Sequence, residues 1–149
     1  MKKFLTRFLA ACAILAVGSS VSFAAGGWGD NLDKALADAK AEKKMVLLDF
    51  TGSDWCGWCI KLHKEVFSKP EFEKYAKDNL VLVTVDFPQT KQLPKRVKEQ
   101  NDKLQKQYKI EGYPTIIVLN SEGKKVGQLG YQEGGPGPFT AKLDEMKGK

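Results

Sequence analysis

One succession in this chain constrains its fold more than any other: an apolar run, a cysteine pair, then a helical pattern. Met45-Val46-Leu47-Leu48-Asp49-Phe50 is a short run of strand type. After a brief turn comes Asp54-Trp55-Cys56-Gly57-Trp58-Cys59, and in residues 60–67 the apolar Leu62, Val66 and Phe67 recur at helical spacing. The two cysteines therefore sit where a strand turns into a helix. A thiol at that point faces unpaired backbone N–H groups and the positive end of the helix dipole. Both favour the thiolate, which is the nucleophile of disulfide exchange. The reading is redox chemistry, with Cys56 exposed at the tip as the attacking group and Cys59 one turn beneath it as the resolving group.

The N-terminus reads as a targeting segment. Lys2, Lys3 and Arg7 precede an apolar stretch over residues 8–17, and Ser22-Phe23-Ala24 places small residues at a cleavage site. A signal peptide over residues 1–24 is expected, and residues 25–149 form one domain that is periplasmic or secreted. The apolar stretch is too short to span a bilayer, so no stable membrane insertion follows cleavage. A lipidated Cys12 is the alternative, against which few apolar residues precede it. Removing Cys12 leaves Cys56 and Cys59 alone, so no cysteine remains for a structural disulfide. Three basic residues leave as well, giving 21 basic against 18 acidic, or +3. That charge, with no basic stripe interleaved with aromatics, argues against a nucleic-acid partner.

Taken in order, residues 25–29 are a Gly-rich, mobile lead-in, and Asp30 caps a helix with Leu32, Ala35, Leu36 and Ala39 on one face. The strand 45–50 and a helix running to about Phe67 follow. Ser68 and Glu71 have capping-box spacing for a helix to about Lys77, with Pro70 in its first turn. Asp78-Asn79 is a turn. Residues 80–85 are apolar and β-branched, as in a strand covered on both faces. A loop over 87–93 precedes a polar helix over 95–108 with a thin face of Val97, Leu104 and Tyr108. Gly112-Tyr113-Pro114-Thr115 leads into strand 116–119, a turn at Asn120-Ser121-Glu122-Gly123 and a return strand 125–129. Residues 139–146 close the chain as a helix. This order predicts an α/β fold, a central mixed sheet with helices on both faces.

Trp55-Cys56-Gly57-Trp58-Cys59 between strand and helix, Gly112-Tyr113-Pro114-Thr115 before a strand, and Asp49 in the strand ahead of the cysteines together resemble the thioredoxin superfamily. The run 59–82 is also similar to the periplasmic C-terminal domain of the transmembrane thiol-disulfide interchange reductase. The resemblance covers roughly residues 30–149, nearly all of the expected mature chain. It implies a thioredoxin fold, an exported thiol-disulfide oxidoreductase with no organic cofactor, and protein disulfides as substrates. It also implies a membrane thiol reductase as electron donor, and a monomer is expected. The departures are Gly57-Trp58 between the cysteines, one extra residue between Asp49 and Cys56, and Leu82 at the place of the lysine that often partners the buried acid.

By the same resemblance Asp49 relays a proton for Cys59, burial raising its pKa toward working pH. Pro114 is cis, and the backbone at Tyr113 pairs with substrate. Trp55 and Trp58 offer an apolar docking surface. His63, four residues beyond Cys59, reads as an ordinary helix-face residue or as a group that tunes the cysteines. No metal site is expected, since zinc wants four ligands and the cysteine pair and one histidine supply three. The alternatives are a net disulfide oxidase or isomerase, a copper or zinc chaperone using Cys56, Cys59 and His63, and a redox-inert adaptor.

Overall fold

The computed structural model describes residues 27–149. The signal-peptide reading falls on residues 1–24, outside the described residues. Five strands form one sheet: β1 Trp28–Gly29, β2 Met45–Thr51, β3 Leu80–Asp86, β4 Thr115–Leu119 and β5 Lys125–Leu129, in the order β1-β3-β2-β4-β5. β3 runs parallel to both β1 and β2, while β4 is antiparallel to β2 and β5 to β4. The helices are α1 Leu32–Glu42, α2 Gly57–Leu62, α3 Pro70–Asn79, α4 Lys95–Gln107 and α5 Pro136–Asp144, with a π-helical turn, His63–Phe67, continuing α2.

The period of two along a strand sorts the core into two layers. Met45 and Leu47 of β2, Leu80 and Leu82 of β3, and Ile116 and Val118 of β4 face one side, with Leu62, Val66, Phe67, Phe72, Phe139 and Leu143 from the helices over them. Val46, Leu48 and Phe50, Val81, Val83 and Val85, and Ile117 and Leu119 face the other, packed by Ala35, Ala39 and Leu104. β2 is buried along its whole length because it is central and covered on both faces. By the same alternation Asp49 lies on the face of Met45 and Leu47, under the helix that carries the cysteines.

Several local expectations give way to tertiary contacts. Residues 28–29 of the lead-in form β1, with Trp28 opposite Leu82 and its ring 5.0 Å from Phe67. Two residues are too few to show a strand period in sequence. Asn31, not Asp30, caps α1, its side chain accepting from Lys34 N at 3.0 Å. Asp30 is drawn instead to Arg96 at 3.1 Å. No capping box forms at Ser68, whose hydroxyl donates to the Lys64 carbonyl at 3.2 Å while Lys69 stands at the α3 cap. Pro70 does take the first turn of α3, and Asp78-Asn79 continues that helix rather than turning. The helix after the cysteines ends in π geometry, Ser68 N donating to His63 O at 2.9 Å across five residues.

Candidate active site

Cys56 stands at the N-cap of α2 and is joined to Cys59 by a disulfide, with their Cα atoms 5.2 Å apart. The Cys59 N–H donates to Cys56 Sγ at 3.3 Å, so a backbone donor of the first turn already points at the sulfur. Cys56 is not exposed at a tip as expected: it is only 6% exposed, and Cys59 5%. Trp55 and Trp58, 43% and 57% exposed, stand on either side and carry the accessible surface.

The turn ahead of Cys56 is tied to the loop that follows β3. Ser53 donates through N–H (3.0 Å) and hydroxyl (2.6 Å) to the buried Asp86 carboxylate. Asp54 accepts from Gln89 N at 2.9 Å, Thr90 N at 2.8 Å and the Thr90 hydroxyl at 2.5 Å. These bonds, that from the Thr90 hydroxyl foremost, hold its carboxyl well below the usual range. The Trp55 indole donates to Phe87 O at 2.8 Å, and its ring meets Tyr113 edge-on, centroids 5.9 Å apart. Three consecutive residues are thus pinned to residues 86–90. Asn101 of α4 in turn donates to Asp86 O at 2.9 Å.

Tyr113 ends this chain of contacts. Its ring also lies 5.4 Å from Phe87, and its hydroxyl accepts from Gln105 at 2.5 Å. The Tyr113–Pro114 peptide bond is cis. Trp58 leans away, onto Tyr131 at 5.0 Å, with the Lys61 ammonium 5.1 Å from the Trp58 ring. Tyr131 donates to Glu65 at 2.6 Å.

Behind the disulfide lies a cavity of about 390 Å³. Cys59, Asp49, Thr51, Ser53 and Thr84 line its polar side, and Trp28, Ile60 and His63 the remainder. Asp49 is buried, and its Oδ1 has no hydrogen-bond partner in the protein. Burial, and secondarily the negative charge of Asp86, pushes the Asp49 carboxyl up to about 7. The residue opposite Asp49 on β3 is Thr84, whereas Leu82 faces Leu47. The charge nearest Asp49 in effect is an acid, Asp86, itself paired with Lys91 at 2.9 Å.

The fold thus brings Cys56, Cys59, Trp55 and Tyr113 together on one side and Asp49 with Cys59 on the other. Sequence reasoning did not single out Ser53, Asp54, Thr84 or Asp86. The one signal for Asp86 was an acid ending an apolar strand. Among the described residues no cluster of three or more His, Cys, Asp or Glu side chains is arranged to hold a metal ion. Among them, too, no helix is long and apolar enough to cross a membrane.

A mixed sheet with a Cys-x-x-Cys pair heading the helix after its central strand, and an X-Pro loop entering the antiparallel strand beside it, defines the thioredoxin-like class. A model of the thioredoxin-like domain matches residues 32–147, and the chain belongs to that family. It is similar to disulfide bond reductase DsbH of Chlamydia pneumoniae, 37% identical over 110 residues, which are 74% of this chain and 66% of that protein. It is also similar to thiol:disulfide interchange protein DsbD of Photorhabdus laumondii, 35% identical over 56% of this chain and 13% of that protein. A solved structure of DsbH oxidoreductase matches with a TM-score of 0.77 at 32% identity, covering 91% of this chain and 94% of the other. The chain spans about two-thirds of the DsbH relative's length and a small part of the DsbD relative's.

Proposed function

We propose that this protein is an exported thiol-disulfide oxidoreductase whose net direction is reduction of disulfides in exported proteins. The observation that carries the reading is the Cys56–Cys59 disulfide at the head of α2, with the buried Asp49 sharing a cavity with Cys59. Cys56 Sγ faces a first-turn N–H, which favours its thiolate. That thiolate attacks a substrate disulfide, forming a Cys56 mixed disulfide and releasing one substrate thiolate. Asp49 takes the Cys59 proton. The Cys59 thiolate then attacks Cys56 Sγ, the mixed disulfide breaks, and the second substrate thiolate leaves. Two electrons have moved from the dithiol to the substrate, and two protons end on the substrate thiols.

Trp55, Trp58 and the Tyr113 backbone before Pro114 receive the substrate chain beside the sulfurs. The names of the relatives, disulfide bond reductase and thiol:disulfide interchange protein, support both the chemistry and its direction. The reduced state is restored by a membrane thiol reductase, and the protein works as a monomer in the periplasm or medium. The test is the reduction potential of the Cys56–Cys59 pair in glutathione buffers. A value near about −270 mV agrees with a reductase, and one near about −120 mV reverses the direction.

A further inference from the structure

We propose that His63 is the outlet through which the Asp49 proton reaches solvent, the cavity behind Cys59 serving as its path. The inference rests on the relay role proposed for Asp49 and goes beyond it to a residue no spacing rule assigns. His63 lies four residues beyond Cys59 and lines the same cavity as Cys59 and Asp49. It is also exposed, so its ring meets both the cavity and bulk water. The chain contains no other histidine.

Three observations converge on this path. First, Asp49 Oδ1 is buried and has no hydrogen-bond partner, so no other side chain holds the proton that the proposed relay takes from Cys59. Second, the cavity is roomy enough for water, at about 390 Å³, and the hydroxyls of Thr51, Ser53 and Thr84 line it. Third, the helix changes from α to π geometry at His63, with Ser68 N bonded to the His63 carbonyl at 2.9 Å. Such turns reset the direction of side chains and recur at functional sites. The His63 ring packs edge-on to Phe67, centroids 6.4 Å apart, which fixes its orientation.

The remaining wall does not offer a substitute. Trp28 and Ile60 are apolar, and the hydroxyls do not titrate near neutrality. Among the lining residues only Cys59, Asp49 and His63 carry an acid or base group, and an imidazole can accept a proton at one ring nitrogen and donate one from the other. The other charges near Asp49 are Asp86 at the end of β3, opposite Thr51 and bonded by Ser53, and Lys91, paired with it at 2.9 Å. They bias the Asp49 proton but do not line this cavity. His63 acts through the cavity and not on sulfur, so it is a positioning residue for the proton.

The balance is simple. The Cys59 thiol gives its proton to the Asp49 carboxylate as its sulfur attacks Cys56 Sγ. The neutral acid then releases that proton through cavity water to the His63 imidazole, and the imidazolium gives it to solvent. Reduction of the enzyme runs the path inward.

The test is repeated turnover, release of substrate thiol with a small-molecule dithiol resupplying electrons so that Asp49 must shed its proton each cycle, followed from pH 5 to 9 in the full chain. Wild type, His63→Gln, His63→Ala and Asp49→Asn are compared, with melting curves to confirm folding. The expected result is release slowed about ten-fold or more in both His63 variants. One limb of the pH profile is lost, and free imidazole restores the rate in His63→Ala but not in His63→Gln. Unchanged rates in both His63 variants overturn the inference, and if Asp49→Asn is slow in the same experiment the Asp49 role survives. If Asp49→Asn is as fast as wild type, the relay reading falls and takes the outlet with it. Slowing without imidazole rescue or change of pH profile marks His63 as structural and also overturns the proposal.

Discussion

The two sides of the Cys56–Cys59 disulfide are built in opposite ways. On the loop side, Ser53, Asp54 and Trp55 each bond to residues 86–90, and Tyr113 and Phe87 close around the indole. On the cavity side, Asp49 Oδ1 is buried with no hydrogen-bond partner, and the residue lines the cavity beside Cys59. Buried polar groups are ordinarily satisfied, so the contrast carries information. A saturated side fixes where Cys56 stands, and on the relay proposed for Asp49 the unsatisfied side is where the Cys59 proton moves. On that proposal geometry is held by one wall and proton traffic by the other.

The largest effects break the redox centre that both sides serve. Cys56→Ser abolishes exchange, while Cys59→Ser accumulates a mixed disulfide through Cys56 that mass spectrometry of trapped substrate detects. Free turnover by either variant would sink the assignment of attacking and resolving roles.

Asp49→Asn probes the cavity side through stability. The folded carboxyl titrates at about 7, above the unfolded value of about 3.9. The native state therefore holds more protons between these values, and stability falls as pH rises from about 4 to about 7. The full shift corresponds to about 4 kcal/mol lost by neutral pH and above, an upper figure for one buried carboxyl. Asn does not ionise, so the variant gains most over wild type above pH 7 and little at pH 4. Denaturant melts at both pH values read this, and an equal gain at each would contradict a buried, titrating Asp49.

Asp54→Ala probes the loop side. It removes three hydrogen bonds from the residue beside Trp55. Trp55 then loses its fixed pose against Phe87 and Tyr113, its fluorescence shifts toward that of a solvated indole, and exchange slows about ten-fold through misplacement of Cys56. The pH profile stays as in wild type. A changed profile would show that the two walls are not separable.

The smallest effect belongs to Trp58→Ala. This side chain is more than half exposed, and stability is expected to change by about 0.5 kcal/mol or less. The substrate KM rises while kcat holds, as for a contact made equally in the ground and transition states. A fall in kcat alone would place Trp58 in the chemistry instead of in docking.

Much of this was legible locally. The β-branched run at 80–85 and the apolar run at 45–50 could only be central strands, and period two then placed Asp49 on one face of the sheet. The placement of Cys56 and Cys59 at the start of a helix followed from the residues on either side. What failed was short or competitive. β1 is too brief to show a period. Asp30 and Ser68 fit capping patterns, but Arg96 and the Lys64 carbonyl were better partners in space. The burial of Cys56 was missed because it depends on how the start of α2 seats on the rest of the fold, which is not a local property.

The sequence by itself determined the class of fold, the redox pair and the acid beneath it, because hydrophobic period and helix polarity act within a few residues. The tertiary structure alone decided which groups meet. The bonds from Ser53, Asp54 and Trp55 to residues 86–90 join positions more than thirty apart. The cavity joins Trp28, Asp49, His63 and Thr84 across three strands and a helix. Such meetings depend on strand register and on how α2 seats on the sheet. Those are set by the packing of the whole core, and no spacing along the chain encodes them.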